Sequence, residues 1–586
     1  MLNLENIRHS LAHLLAAAVL KKYPKTKLGI GPTIEEGFYY DFLLPAGKKF
    51  SPDDLKEFEK TMRELIKQNL LFSGKKVTAA EAKKLFADQQ FKLDLIKEFS
   101  KEAKQLSVYY TCPPKTSNLS PKTCFMDLCR GGHVKSTKEI HADAFRLTKI
   151  AGAYWRGDEK NPQLQRIYGV AFKTKKELED YLKLQEEIEK RDHRKIGERL
   201  ELFSFEEVSQ GAPFWHGKGM IVFRELEKFI REEQDKAGYE ETSTPIMVKK
   251  EIFEKSGHWQ FYRENIFHFK EGDDTLVLKP MNCPESTYIY NSRTRSYKDL
   301  PLRLSEIGRL HRNERSGTLG GLFRVRQITM DDAHIYCRRD QIQSEISSLL
   351  KLAHKVYKIF GFEERFYLAT KPAHALGDVK LWQEAEKALV MALKENKVKF
   401  EIAPKDGAFY GPKIDIHIKD ALGRDWQLAT IQLDLVMLPE RFNLAYIDEK
   451  GKKQRPVVIH RAILGSFERF IGILLEHFAG ALPLWLAPVQ VAVLPVGEKF
   501  ESYGRKVYDE LKTAGIRAEL STANETLGKR IREAEMQKIP YILVVGEKEE
   551  EAKNVNVRHY KRGQEREITI GKFLAKIREE IEKKAS

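Results

Sequence analysis

Residues 301–337 limit what this chain can fold into more than any other stretch. Apolar and polar residues alternate through Leu302, Leu304 and Ile307, break at the glycine-rich residues 316–321, and resume with Phe323, Val325 and Ile328. Period-two alternation on both sides of a turn-forming segment predicts two strands joined by a long hairpin loop. A hairpin is commonly structural, and arginines on strands are commonly solvated edge residues. Here Arg309, Arg312, Arg315, Arg324 and Arg326 crowd the hairpin, and Asp331, Asp332 and His334 follow at once.

Two distant segments offer partners. Asn282-Cys283-Pro284 follows the apolar run 276–278, and Val457-Val458-Ile459-His460-Arg461 precedes GSFERFIGIL, where Phe467, Phe470, Ile471 and Leu474 have the spacing of a buried helix face. Cys283, His334 and His460 make a plausible zinc set only if the fold brings them together. Three protein ligands leave one coordination position open, as a substrate-binding zinc requires. Taken singly, each histidine reads as a structural residue.

At 586 residues the chain exceeds one core and predicts three or four domains. Charged residues at 32% and a mean hydropathy of −0.49 fit a soluble protein. No apolar run reaches the roughly 20 residues of a membrane helix, and no secretory or organelle leader is legible at the start. Five cysteines without a CxxC pair argue for a reducing compartment. The net charge of +16 suits a polyanionic partner.

In chain order, residues 6–19 read as a helix with His9 and His13 four apart on one face, and Cys129 and His133 repeat that spacing further on. Ligand arithmetic alone slightly favours a second tetrahedral zinc site for these four. Residues 174–200 are a run of Lys, Glu and Leu, a solvated connecting helix. Residues 203–482 mix strands and helices without regular βα alternation, which predicts an antiparallel sheet with flanking helices. After Pro483, short apolar strands separated by helical stretches at 499–514 and 526–537 predict an α/β domain.

GMIVFRELEKFI with Pro245, LHRNERSG with LFRVRQ, and HRAILGSFERFIGIL have the form and order of class II synthetase motifs 1, 2 and 3. With NCP, DDAH, HSLAH, DLCRGGH, AGAYWRGD, AFYGPKID and NETLGKRIREAEMQKIPYILVVGEKE, the chain resembles the threonyl-tRNA synthetase family almost from end to end. The resemblance implies an α+β multidomain fold: an N-terminal α+β editing domain at 1–173, a linker helix at 174–200, a class II antiparallel-sheet catalytic domain at 201–483, and an α/β anticodon-binding domain at 484–586. It implies a cytoplasmic homodimer formed through motif 1. Its substrates would be L-threonine, ATP and tRNA(Thr), with one Zn2+ per chain and Mg2+ carried by ATP. The ubiquitin-like domain that precedes the editing domain in many relatives is not in this sequence.

The resemblance also assigns roles. Arg312 clamps the α-phosphate and the amino-acid carboxylate, Glu314 reads the adenine amino group, Arg324 holds the γ-phosphate and Arg469 lies over the adenine. These roles suit arginine, whose planar fork bonds phosphate and carboxylate oxygens bidentately. Cys283, His334 and His460 hold zinc, Asp332 meets the threonine hydroxyl, and Tyr410, Lys413 and Gln432 line the pocket. A zinc that takes both the amino group and the hydroxyl answers a problem that an apolar pocket cannot, the rejection of isosteric valine. Serine lacks only a methyl, worth about 1–3 kcal/mol, so a hydrolytic site is needed. His9, His13, Cys129 and His133, with Asp127 and Lys92, form it in the family, working with water and side chains. Asn524, Glu549 and Arg558 would read the anticodon. The chain departs from the commoner family pattern at Glu285-Ser286 (often Gly-His), Met330 (often Gln) and Ile328 (often aromatic).

Two other readings compete. A synthetase-like RNA-binding regulator would have no need of Arg312, Arg469, Cys283, His334 and His460. An unrelated zinc hydrolase would need a general base beside the metal and leaves the C-terminal domain idle.

Overall fold

The computed structural model describes residues 3–103, 105–114, 116, 119–120 and 123–584. The chain divides into two compact units, Met1–Glu186 and Glu187–Ser586.

In the first unit, α1 (Leu4–Lys22) starts on Asn3, whose side chain accepts the Glu5 N–H, and the run Leu14, Leu15, Ala16, Ala18 and Val19 is fully buried. Small alanines let this helix lie close on a sheet built mainly from β1 (Gly37–Leu43), β5 (Phe145–Tyr154) and β6 (Gln163–Ala171). Between β1 and β5 come α2 (Pro52–Lys67), β2 (Leu71–Val77), α3 (Gln90–Glu102), β3 (Leu106–Cys112) and β4 (Phe125–Leu128). Strands β2, β3 and β4 pair in that order as a second, antiparallel sheet. Cys112 and Cys124 are joined by a disulfide, because antiparallel pairing of β3 with β4 brings the ends of their connection together. That bond departs from the reading of the five cysteines as those of a reducing compartment; Cys129, Cys283 and Cys337 are free. The helix α4 (Lys175–Arg191) spans the boundary at residues 186 and 187.

The second unit opens with α5 (His193–Arg199) and α6 (Gly217–Lys236). Its centre is an eight-stranded sheet whose strands run in the order Glu240–Glu241, β9 (Leu302–His311), β10 (Gln327–Cys337), β15 (Val457–Ser466), β14 (Asp425–Asp434), β13 (Lys413–Lys419), β11 (Glu364–Ala369) and β12 (Phe400–Ala403). Pairing is antiparallel throughout except at the two outermost contacts. Earlier in the chain, β7 (Met247–Lys249) pairs with β8 (Asp274–Leu278), and the short helix α7 (Cys283–Tyr290) follows. Strand β15 is buried on both faces from Val457 to Gly465. Helices α6, α8 (Ile342–Ile359) and α9 (Phe467–His477) supply much of that cover with Leu226, Phe229, Ile346, Ala353, Phe470 and Leu474.

The hairpin expected from the alternation is present, with one correction. Phe323 and Val325 lie outside the returning strand, which begins at Gln327. Residues 321–323 instead make a single helical turn, and the Arg326 N–H bonds to the Gly211 carbonyl at 2.6 Å, so the chain reaches its strand partner late.

The C-terminal part is a five-stranded sheet built on β16 (Val491–Pro495), which pairs in parallel with β17 (Ala518–Leu520) and β18 (Tyr541–Val545). Strands β19 (Asn554–His559) and β20 (Gly563–Thr569) continue it antiparallel. Helices α10 (Glu501–Thr513), α11 (Leu527–Met536) and α12 (Ile570–Glu582) complete the α/β layer.

One buried ion pair fixes the approach of β8 to β9. Lys279 is 1% exposed, and its ammonium donates to Glu306 at 2.7 Å and to the Thr244 hydroxyl at 2.7 Å. Removing one partner leaves a buried charge uncompensated. Glu306→Ala should therefore cost about 3–5 kcal/mol of stability in denaturant unfolding, while Lys279→Met with Glu306→Leu recovers most of it. Equal losses in the single and double variants would mean that the pair itself is not what holds this contact.

Candidate active site

Register builds the site. His334 on β10 lies directly opposite His460 on β15, and the two rings sit 4.9 Å apart. Cys283 enters at the start of α7, and the three donor atoms lie within 4.8 Å of one another, all buried. Asp434, on β14 beside β15, stands 3.3 Å from His460 Nε2. It also accepts the N–H groups of Val436, Met437 and Leu438, so its position is fixed by the chain that follows. Burial pushes the Cys283 thiol well up, with Asp332, Glu285 and Asp434 adding to it, and burial holds His334 well below the usual imidazole range. Neutral imidazoles are ready ligands, and a bound cation reverses the bias against the thiolate. One sulfur and two nitrogens backed by a carboxylate form a donor set that suits zinc, with a position left open toward the cavity.

That cavity, about 370 Å³, is lined by Cys283, His334 and His460 together with Arg312, Asp332, Tyr410, Gln432 and Arg469. Met330, Asp332 and His334 share the face of β10 that looks into it, as period two requires. Asp332 accepts from Asn282 Nδ2 at 3.1 Å, and burial raises its carboxyl to about 6. The Tyr410 hydroxyl donates to Gln432 Oε1. Lys413, directly opposite Gln432 in the sheet, is tied to Asp415 at 2.6 Å.

Arg312 and Arg469 also line the cavity, and Arg324 lies near Arg469. Arg312 donates to the Pro280 carbonyl and lies 6.0 Å from the Tyr262 ring. Arg469 on α9 is pushed below the usual arginine range first by burial and then by the nearby charges of Arg312 and Arg324. Arg324 is half exposed and pairs with Glu314 at 2.8 Å. Three mutually repelling cations with one carboxylate among them leave a surplus of positive charge that an anion would relieve. Ile328 lines the same cavity and packs with Leu310 and Val325. Glu285 is buried with neither carboxyl oxygen hydrogen-bonded, and burial raises it to about 8, so it is protonated at neutral pH.

The first unit holds a second cluster. The Cys129 sulfur lies 3.4 Å from His9 Nε2 and 3.3 Å from His133 Nε2, and it accepts the Gly131 N–H at 3.2 Å. His133 Nδ1 faces the Ser10 hydroxyl at 3.2 Å. Lys92 is buried against Asp127 at 2.5 Å, and the Tyr40 hydroxyl donates to the same carboxylate at 2.5 Å. A cavity of about 550 Å³ is lined by His9, His13, Lys92, Asp127 and Cys129. Burial lowers the pKa of His9, His13 and His133 and pushes the Cys129 thiol up to about 12. The thiol is thus a poor nucleophile at neutral pH, and the imidazoles are neutral acceptors.

The three C-terminal candidates are each held by a different part of that domain. Asn524 is exposed ahead of α11, Glu549 accepts the Gly546 N–H at 2.9 Å as a helix cap, and Arg558 pairs with Glu535 at 2.9 Å. Sequence reasoning named Asn282 within its motif without giving it a role and passed over Asp434. Asn282 lies beside the singled-out cysteine, and Gly308 faces it so closely that a Cβ there would meet Asn282 Oδ1 at 2.5 Å. Asp434 follows Gln432 by two residues on one strand, a spacing that puts both on one face.

Residues 262–478 match the family described as the tRNA synthetase class II core domain (G, H, P, S and T), and residues 490–580 match an anticodon-binding domain. The catalytic unit is thus that of a class II aminoacyl-tRNA synthetase. Residues 110–168 match the threonyl and alanyl tRNA synthetase second additional domain. The chain is 48% identical over 579 residues to threonine–tRNA ligase of Carboxydothermus hydrogenoformans, covering 98% of this chain and 89% of that protein. It is 48% identical over 582 residues to threonine–tRNA ligase 2 of Bacillus subtilis, covering 99% and 88%. A crystal structure of the RNA binding domain of Cryptosporidium parvum threonyl-tRNA synthetase superposes with a TM-score of 0.63 at 42% identity, over 66% of this chain and 98% of that one. The chain belongs to the threonyl-tRNA synthetase family. Among the described residues no helix is long and apolar enough to cross a membrane.

The role given to Asp434 has a direct test. Asp434→Asn keeps the side chain's shape but weakens its hold on His460, and should lower Zn2+ affinity about 10- to 100-fold in competition with a chromophoric chelator. Unchanged affinity would remove Asp434 from the metal site.

Proposed function

We propose that the chain activates L-threonine with ATP, transfers it to tRNA(Thr), and hydrolyses seryl-tRNA at a second site. The observation that carries this reading is one cavity whose lining includes both the Cys283, His334 and His460 donors and the Arg312 and Arg469 guanidiniums. An amino acid held by its amino and hydroxyl groups at the donors directs its carboxylate toward the guanidiniums. Attack of that carboxylate on the α-phosphate of ATP, with pyrophosphate leaving, gathers negative charge where fixed cations already stand, so positioning and charge supply most of the catalysis.

In this reading Arg312 holds the α-phosphate and the carboxylate, Arg324 the γ-phosphate, and Arg469 the adenine face, with Ile328 packing opposite. Glu314, tied to Arg324 in the structure, is freed to meet the adenine amino group when phosphate takes over the arginine. Asp332 accepts the threonine hydroxyl. Tyr410 and Gln432 close the amino-acid end, and Lys413 is carried beside Gln432. Zinc on Cys283, His334 and His460 would supply Lewis-acid contacts for the amino and hydroxyl groups, which valine cannot match. Magnesium comes with ATP.

The first unit serves accuracy. The match at residues 110–168 supports an editing role. A neutral thiol and neutral imidazoles favour ordering a water over covalent attack by Cys129. The four donors there are read as side-chain chemistry and not as a second zinc site. We further divide the chain into editing domain 1–173, linker 174–200, catalytic domain 201–483 and anticodon-binding domain 484–586. Asn524, Glu549 and Arg558 are assigned to the anticodon, α6 to a dimer contact, and the cytoplasm as location.

Threonine-dependent ATP–pyrophosphate exchange on the purified chain tests the synthetic reaction. Arg312→Ala should reduce it about 100-fold or more with unfolding unchanged, because the side chain serves charge and not core. Retained exchange in that variant would break the assignment of the hairpin. For the second site, His13→Ala or Cys129→Ala should leave threonylation nearly intact and accumulate seryl-tRNA when serine is supplied. Loss of a second metal equivalent with no selective effect on serine would instead make the cluster a structural metal site.

A further inference from the structure

His193, the first residue of α5, is buried, and both of its ring nitrogens are engaged. The Leu322 backbone N–H donates to Nε2 at 2.9 Å, which makes that nitrogen the unprotonated acceptor. Nδ1 therefore carries the proton and lies 2.6 Å from Glu476 Oε1, which also accepts the His193 backbone N–H at 3.0 Å. Asp192, His193 and Glu476 are close enough together to suggest a cation site. An imidazole used on both sides in this way has no lone pair left for a metal.

What His193 touches instead is the turn that delivers Arg324. Gly321 enters that turn at φ +53°, and a Cβ there would collide with His193 Nε2, so both the backbone conformation and the close approach require glycine. The Phe323 ring lies 4.2 Å from the imidazole and 4.5 Å from Trp426, and its carbonyl accepts from Arg469 Nε at 3.0 Å. Arg424 completes the surround. Its guanidinium is 5.6 Å from the Phe323 ring and forms ion pairs with Glu476 and Asp420, each at 2.5 Å. Leu322 itself is fully buried in the core of the unit. The residue after this turn is Arg324, half exposed and paired with Glu314.

We propose that His193 is a positioning residue for ATP: as a neutral imidazole anchored on Glu476, it holds the Leu322 N–H and so sets the direction in which Arg324 leaves residues 321–323. The proposal deepens the reading of Arg324 as the γ-phosphate ligand and rests on it. The turn keeps its packing through Leu322 and Phe323 without this bond, so what the bond adds is orientation. Losing it weakens the hold on the phosphates far from the amino-acid pocket, and the deficit falls on ATP more than on threonine.

The test is steady-state ATP–pyrophosphate exchange with the full chain, varying ATP and threonine separately. His193→Asn can still donate to Glu476 from the Nδ1 position but cannot reach Leu322. It should raise the ATP KM about tenfold and keep the threonine KM within about twofold, with an unchanged unfolding temperature. His193→Gln places an amide oxygen near the Nε2 position and should restore most of the loss. His193→Phe keeps the ring's packing on Phe323 without an acceptor for the Leu322 N–H and should raise the ATP KM in the same way. That variant decides the matter if His193→Asn does not fold. Folded variants whose two KM values rise alike, or neither rises, overturn the proposal. Arg324→Ala separates the levels: unchanged ATP KM there would sink the phosphate reading itself, whereas a raised value with a silent His193→Asn sinks only the positioning role.

Discussion

The pairing of β10 with β15 carries the rest of the catalytic unit. It sets His334 opposite His460, and it does so beside a register shift between Met330 and Asp332. Asp331, on the other face of β10, accepts from Arg461 and from the N–H groups of Ile463 and Gly465, so one buried carboxylate ties the two strands at the irregularity. Period two then sends Met330, Asp332 and His334 into the cavity together. A slip of one residue would turn His334 and Asp332 away and present Asp331 and Ala333 in their place. The donor cluster is therefore a consequence of strand register, and Asp331 with Arg461 is part of what keeps that register.

The two units use opposite electrostatics. Beside the catalytic cavity the charges of Arg312 and Arg324 add to burial in disfavouring the charged form of Arg469, a cost that bound phosphate repays. At the cluster of the first unit Cys129, His9 and His13 are neutral, and the buried ion pair beside them, Lys92 with Asp127, is internally satisfied. Charge assembled in advance suits a reaction that concentrates negative charge. Neutral acceptors around a cavity suit the ordering of water beside an ester.

Local pattern made much of this legible. The alternation through Leu302, Leu304 and Ile307 became β9, the apolar spacing of Phe467, Phe470, Ile471 and Leu474 became α9, and residues 526–537 contain α11. The cysteine and two histidines that the sequence could only list as a possible set are brought within reach of one another. What periodicity could not supply depends on contacts distant in the chain. Phe323 and Val325 fit a strand pattern, yet packing on His193 and Trp426 and the bond from Arg326 to Gly211 made a turn there. The Cys112–Cys124 bond arises from the pairing of β3 with β4, which cysteine spacing alone does not specify. Glu549 caps its own helix through the Gly546 N–H, a local role that the sequence reading did not foresee, while His193 looked like part of a solvated linker and proved buried against the hairpin.

The central claim is that the donor cluster on β10, β15 and α7 selects the amino acid through a bound metal. Calorimetric titration of threonine and of valine into the chelator-stripped chain, before and after Zn2+ is restored, tests it most directly. The account predicts threonine binding that appears with zinc and is lost on stripping, with valine weak in both states. Threonine binding of equal strength in the stripped and restored protein would contradict it.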